Sequence, residues 1–151
     1  FPTDAPDPTT IEPYREGAGV DRIDVELEGN QPRSLVWARY PGALSDDPRI
    51  HLCALAYLSD SNAMEAVAHA HPKGMPEDHE SWDETYMTAS LDHAMWFHAP
   101  IRFDEWHLYA LDAPFTGGAR GFNRGMIYNQ NGQLVASVAQ EGLLRPIRPK
   151  G

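Results

Sequence analysis

The sequence predicts an α+β domain in which an antiparallel β-sheet packs against one long helix. A single stretch, residues 45–71, has helical character, with Asp47 as candidate N-cap and Pro48 at the first helical position. The patterned segments after it are typical of strands, and Asn131 followed by Gly132 is typical of a two-residue hairpin turn. A helix laid on a curved sheet buries the most surface that such elements can bury.

The elements follow one another in a clear order along the chain. Residues 1–20 hold four prolines and are predicted to be a semi-extended linker, which leaves residues 21–151 as one domain. Proline, glycine and charged residues end the helix and predict a loop over residues 69–80. Strands are predicted on both sides of the helix, at residues 22–29, 34–42, 84–98, 105–114, 121–130 and 133–144.

Composition limits the classes of function. The net charge of −10 disfavours a broad nucleic-acid or membrane surface. The single cysteine, Cys53, cannot form an internal disulfide, so the cytoplasm is the expected location. Because the chain opens on Phe1, without the basic start and apolar run of a signal peptide, it is expected to be the downstream part of a longer polypeptide. The loop histidines lack metal-ligand spacing and are expected to be solvated: His69, His71 and His79.

One acidic side chain interrupts the apolar stripe of the predicted helix. The stripe has spacings of four, seven and four, and Asp60 falls inside it, among Leu52, Ala56, Ala63 and Val67. A polar group on a core face costs about 2–7 kcal/mol unless it has hydrogen-bond partners. Asp60 is therefore predicted to cap a segment, to be hydrogen-bonded, or to mark a helix bend that opens into a cavity. A satisfied structural carboxylate without chemistry is the alternative.

Two further polar residues accompany Asp60 as candidates. Gln140 continues the face of the last strand that Ala136 and Val138 define, where an apolar side chain is expected. Ser90 supplies a small hydroxyl on the strand after the loop. If the carboxylate, hydroxyl and amide converge, they can hold a water, with the carboxylate as base and the other two directing the water toward an electrophilic carbonyl.

Seven short motifs follow one another along the chain: SLVWARY, LCALAYLSDSN, SLDHAMWFH, EWHLYALDAP, ARGFNRG, NQNGQLVAS and QEGLLR. In order and spacing they resemble the C-terminal half of the acyl-CoA thioesterase II (TesB-like) family, over nearly everything after the predicted linker. The resemblance implies a hotdog fold, an antiparallel sheet wrapped around one long central helix. It also implies a double hotdog, two such domains in one polypeptide, of which this chain is the second.

The same resemblance implies an activity and a site. The family hydrolyses fatty acyl-CoA to fatty acid and CoA, and its Asp, Thr or Ser, and Gln positions correspond to Asp60, Ser90 and Gln140. That triad is thought to activate a water, so no cofactor, no metal and no acyl-serine are implied. The acyl channel is expected at the seam between two hotdogs. The implied partners are therefore acyl-CoA and an N-terminal hotdog domain or another hotdog chain, in a homo-oligomer.

Two other functions stay open. An enoyl-CoA hydratase-type hotdog has a His five positions after its Asp, whereas Glu65 holds that position after Asp60. The same spacing from Asp92 gives Phe97, so that signature is absent. The non-enzymatic alternative is a hotdog half that only completes the fold and acyl channel of a partner. Asp92 and His93, as neighbours on a strand, are expected to face opposite ways, which favours a structural hydrogen-bonding role.

Overall fold

Eight β-strands form one antiparallel sheet in the computed structural model, which describes residues 2–3, 5–15, 19–25, 27, 33–61, 63–76 and 81–147. The strands are β1 (Tyr14–Arg15), β2 (Asp21–Val25), β3 (Arg33–Arg39), β4 (Tyr86–Ser90), β5 (Ala94–Phe97), β6 (His107–Gly117), β7 (Arg120–Asn129) and β8 (Leu134–Pro146). Their order is β1-β2-β3-β6-β7-β8-β4, and β5 also pairs with β8. The helices in the described part are α1 (Pro48–Leu58), α2 (Ala63–Ala70) and α3 (Trp82–Thr85).

Helix α2 packs across the strands β3, β6, β7 and β8 and forms the main core with them. The approach is close because glycines lie beneath the helix. A Cβ on Gly121 would collide with Val67, and a Cβ on Gly142 would collide with the sulfur of Met64. This layer of helix on sheet agrees with the α+β architecture predicted from the sequence.

The helix predicted as one element is two. It begins as expected, since Asp47 accepts a hydrogen bond from the backbone N of Arg49 at 3.0 Å. Helix α1 ends at Leu58, and the hydroxyl oxygen of Ser59 lies 2.8 Å from the carbonyl oxygen of Ala56, within hydrogen-bonding distance. Serine and aspartate side chains compete with the helical backbone for hydrogen bonds, and a run of them after an apolar segment favours a turn.

This turn changes the surroundings of Asp60. The continuous stripe predicted from Ala56 to Val67 places Asp60 on the core face, but both Asp60 and Ala56 are exposed in the structure. The prediction of a buried carboxylate was wrong because Asp60 lies on the turn between α1 and α2, and because its stripe neighbour Ala56 is itself exposed on α1. Of the alternatives considered, a helix bend with hydrogen-bond partners describes Asp60 correctly.

The strand predicted over residues 84–98 is also divided. Ser90 of β4 pairs with Gly142 of β8, whereas Ala94 of β5 pairs with Ala139. Four steps along the first strand therefore face three along β8, which is one extra residue, as in a β-bulge. Asp92 closes the gap by accepting a hydrogen bond from the backbone N of Glu141 at 2.8 Å.

The segment before residue 20 is in part packed on the domain rather than separate from it. Strand β1 pairs with β2, and the carbonyl oxygen of Pro6 accepts a hydrogen bond from Trp37 Nε1 at 2.9 Å. Pro8, at the start of a 3-10 turn, is buried. The β7–β8 hairpin differs slightly from prediction, because Asn129 pairs with Gln133 and leaves a three-residue loop whose last residue, Gly132, has φ of 76°.

Candidate active site

Asp60, Ser90 and Gln140 lie within hydrogen-bonding distance of one another. Ser90 Oγ donates to Asp60 Oδ1 at 2.8 Å, and Gln140 Nε2 donates to the same oxygen at 2.6 Å. Gln140 Nε2 also donates to Ser90 Oγ at 3.1 Å. The structure thus brings together three side chains that are up to 80 positions apart in the sequence. Their catalytic role remains a prediction.

Three elements position this cluster, which we call the Asp60 cluster. Asp60 lies on the turn after α1, Ser90 ends β4, and Gln140 lies in β8 two residues before Gly142, the partner of Ser90. Gln140 is only 1% exposed, whereas Asp60 and Ser90 are exposed. Solvent therefore reaches the carboxylate and hydroxyl of the cluster but not its amide.

The carboxylate of Asp60 is held by neutral donors alone. Both donors reach Oδ1, and no described residue bonds to Oδ2 or forms an ion pair with Asp60. Gln140 Nε2 lies within hydrogen-bonding distance of both Asp60 Oδ1 and Ser90 Oγ, so the nitrogen end of its amide faces both groups. The donors therefore fix one oxygen of the carboxylate and leave Oδ2 as an acceptor toward solvent.

A second pair of side chains is attached to the cluster. His93 Nδ1 lies 2.5 Å from Gln140 Oε1, and His93 Nε2 lies 2.8 Å from Ser59 Oγ. The hydrogen-bonding role expected of His93 agrees with these contacts. Ser59 was missed, because its contact with His93 depends on the helix turn and on the bulge, neither of which the periodic patterns revealed.

A cavity in the described part of the chain lies apart from the Asp60 cluster. It has a volume of about 480 Å³, is on the face of the sheet turned away from α2 and is lined in part by Leu35, Ala110, Arg124, Met126 and Tyr128.

Neither metal ligands nor a membrane-spanning helix are found among the residues that the structure describes. No group of three or more His, Cys, Asp or Glu side chains is arranged there to bind a metal ion. Of the loop histidines, His71 accepts a hydrogen bond from the backbone N of Lys73 at 3.1 Å, and His79 lies outside the described residues. No helix in the same ranges is long and apolar enough to cross a bilayer.

Comparison with known proteins adds independent evidence. A family model described as acyl-CoA thioesterase matches residues 12–143. Acyl-coenzyme A thioesterase 8 of Homo sapiens is 35% identical over 126 residues, which are 83% of this chain and 37% of that protein. Acyl-CoA thioesterase 2 of Haemophilus influenzae is 37% identical over 109 residues, 72% of this chain and 36% of that protein.

A solved structure shows the same fold. The acyl-CoA thioesterase II of Mycobacterium marinum aligns with a TM-score of 0.78 and 35% identity, covering all of this chain and 57% of that one. The chain thus has the hotdog fold and spans about a third of the length of the curated relatives it matches. The family model, the relatives and the fold agree: this chain belongs to the acyl-CoA thioesterase family.

Proposed function

We propose that this chain is a catalytic hotdog domain that hydrolyses fatty acyl-CoA to free fatty acid and CoA. The observation that carries the proposal is the arrangement of Asp60, whose Oδ1 accepts two hydrogen bonds while Oδ2 has no partner among the described residues. A fixed carboxylate with one open acceptor oxygen is suited to the role of general base. Membership of the thioesterase family supplies the substrate class.

The reaction follows from that geometry. A water donates a hydrogen bond to Oδ2 of Asp60, which takes one of its protons as the water oxygen attacks the thioester carbonyl. The resulting tetrahedral intermediate collapses with cleavage of the C–S bond, and the departing CoA thiolate takes the proton held by Asp60, which regenerates the carboxylate. Ser90 and Gln140 keep the carboxylate aimed during this sequence. No bond forms between the acyl group and Ser90.

The proposal includes a second hotdog domain, either an N-terminal domain of the same polypeptide or another hotdog chain, with this chain as the second half of the double hotdog. The chain matches only 57% of the Mycobacterium marinum thioesterase, which supports a larger assembly. Large apolar side chains on β5, which pairs with β8, are also exposed, with Trp96 at 53% and Phe97 at 44%. A covering domain would bury them and complete an apolar acyl channel. A homo-oligomer and a cytoplasmic location stay predictions.

Release of free thiol from medium- or long-chain acyl-CoA by the intact protein tests the proposal. We expect Asp60→Asn to lower turnover by about 10²–10⁴-fold, the usual contribution of a positioned acid or base. Wild-type-like turnover of this variant would remove Asp60 from the mechanism.

The alternative function is a hotdog half that only completes the fold and acyl channel of a partner. In that case the intact protein would hydrolyse acyl-CoA, but variants of all three cluster residues would leave turnover unchanged. Enoyl-CoA hydration would instead yield a hydroxyacyl-CoA with its thioester intact, so the absence of released thiol would point to it.

A further inference from the structure

Among the residues that the structure describes, His93 is the ring that hydrogen-bonds to the Asp60 cluster, and the proposed reaction gives it no role. It lies in the bulge between β4 and β5, where its two nitrogens reach different elements: Nδ1 contacts Gln140 of β8, and Nε2 contacts Ser59 of the helix turn. The bulge adds one residue to the strand and so alters the alternation of its side chains at this position.

Proton counting fixes the direction of the His93–Gln140 bond. Gln140 Nε2 lies 2.6 Å from Asp60 Oδ1, and a carboxylate oxygen only accepts, so the nitrogen end of the amide must face Asp60. The other end, Oε1, then faces His93 and can only accept. His93 Nδ1 therefore carries a proton and donates it to Gln140 Oε1.

We propose that His93 is a positioning residue that locks the amide of Gln140 in the orientation required by Asp60. Rotation of the amide by half a turn would place its carbonyl oxygen against the carboxylate and remove a donor from Oδ1. The Nδ1–H of His93 opposes this rotation because the rotated amide would present nitrogen to a donor. The inference rests on the proposed function of the cluster.

Ser59 fixes the other side of the His93 ring through its contact with Nε2. Ser59 and Asp60 are consecutive residues of one turn, so the turn contacts both ends of the chain Asp60, Gln140, His93, Ser59. These contacts form a closed loop, so a shift of any one side chain lengthens the hydrogen bonds to the next. Such closure favours a single arrangement of the carboxylate.

The hydrogen bond from His93 to Gln140 does not depend on the charge of His93. When the ring is neutral, its proton sits on Nδ1 and Ser59 donates its hydroxyl to Nε2. When the ring is protonated, Nε2 donates to Ser59 Oγ, and Ser59 donates instead to the carbonyl oxygen of Ala56, 2.8 Å away. The bond from Nδ1 to Gln140 is present in both states.

Two substitutions of equal size test the proposal in the intact protein. In His93→Asn the side-chain amide can place an N–H near the position of Nδ1, whereas in His93→Asp the same position holds only an acceptor. We expect His93→Asn to keep kcat within several-fold of wild type, and His93→Asp to lower kcat by about 10- to 100-fold with a smaller change in KM. Equal losses in both variants would overturn the proposal.

A double-mutant cycle separates positioning from a general structural role. If His93 acts only through Gln140, His93→Leu lowers kcat in the wild-type background but causes no further loss in a Gln140→Leu background. If the fold-losses in kcat of the two single variants multiply in the double variant, the proposal is contradicted. Should His93→Leu fail to fold, as shown by its circular dichroism, the Asn and Asp pair decides the question. If the wild-type protein releases no thiol, the proposed function is contradicted. If the wild type is active but the His93 variants behave otherwise than expected, the positioning role of His93 alone is contradicted.

Discussion

Asp60 and Glu65 are two acids five positions apart, on either side of the start of α2, and their surroundings are opposite. Glu65 Oε2 accepts a hydrogen bond from Arg22 Nη2 at 2.7 Å, and the Arg22 side chain is only 2% exposed. Within the described ranges, Asp60 accepts hydrogen bonds from neutral donors only, both at Oδ1. Glu65 neutralises a buried charge, while Asp60 keeps an oxygen that no described residue occupies.

The ion pair between Arg22 and Glu65 keeps the buried guanidinium charged. Burial opposes the charged form of Arg22, but the charge of Glu65, its hydrogen bond and the charge of Asp24 outweigh burial and raise the pKa of the guanidinium. Arg22 therefore stays charged at any physiological pH and needs its partners. The comparison teaches that an acid beside the core serves stability when a cation saturates it, and can serve catalysis when only neutral donors fix it.

The largest expected effect on stability is at Glu65. Glu65→Gln leaves Arg22 buried without the more buried of its two acidic partners, and we expect the free energy of unfolding to fall by about 3 kcal/mol, as when other buried pairs lose one member. Turnover per folded molecule should not change. Chemical denaturation and a thiol-release assay check both parts.

Asp24 and Asp60 provide the matched controls for that prediction. Asp24 also contacts Arg22, at 2.6 Å, but its side chain is 48% exposed, so Asp24→Asn should cost no more than about 1 kcal/mol. Asp60→Asn should lower turnover and leave stability nearly unchanged. If Asp60→Asn destabilised the fold as much as Glu65→Gln, Asp60 would be a structural acid.

A smaller effect is expected at Ser90, which supplies one of the two donors to Asp60. Ser90→Ala should lower turnover by about 10-fold, equivalent to the roughly 1.4 kcal/mol that a neutral hydrogen bond contributes. Ser90→Thr keeps the hydroxyl and should retain most of the activity. A loss in Ser90→Ala as large as in Asp60→Asn would instead indicate that Ser90 forms an acyl intermediate.

The smallest effect concerns Asn123, a buried neighbour of Gln140. The two residues are paired across β7 and β8, and both polar atoms of the Asn123 side chain lack a hydrogen-bond partner among the described residues. We expect Asn123→Leu, of similar shape, to raise the free energy of unfolding by about 1 kcal/mol, because it removes an unsatisfied buried amide. A decrease would show that a buried water or a polar group of the substrate binds this amide.

Local signals predicted some of these features and could not predict others. The start of α1 was predictable because Asp47 and Pro48 act within one turn, and Gln140 was predictable because β8 keeps its alternation. The interruption at Ser59 was not, since the apolar spacing continues across it. Where His93 binds depends on a bulge and on a turn more than 30 residues away, so only tertiary structure reveals it.

The most direct test of the central claim is a single turnover of acyl-CoA by excess intact protein in water labelled with heavy oxygen. If Asp60 acts as a base on water, the label enters the fatty acid and the peptide that contains Asp60 stays unlabelled in mass spectra. If Asp60 instead attacked the thioester, water would cleave the resulting anhydride at the aspartyl carbon. Label in Asp60, together with unlabelled fatty acid, would contradict the account.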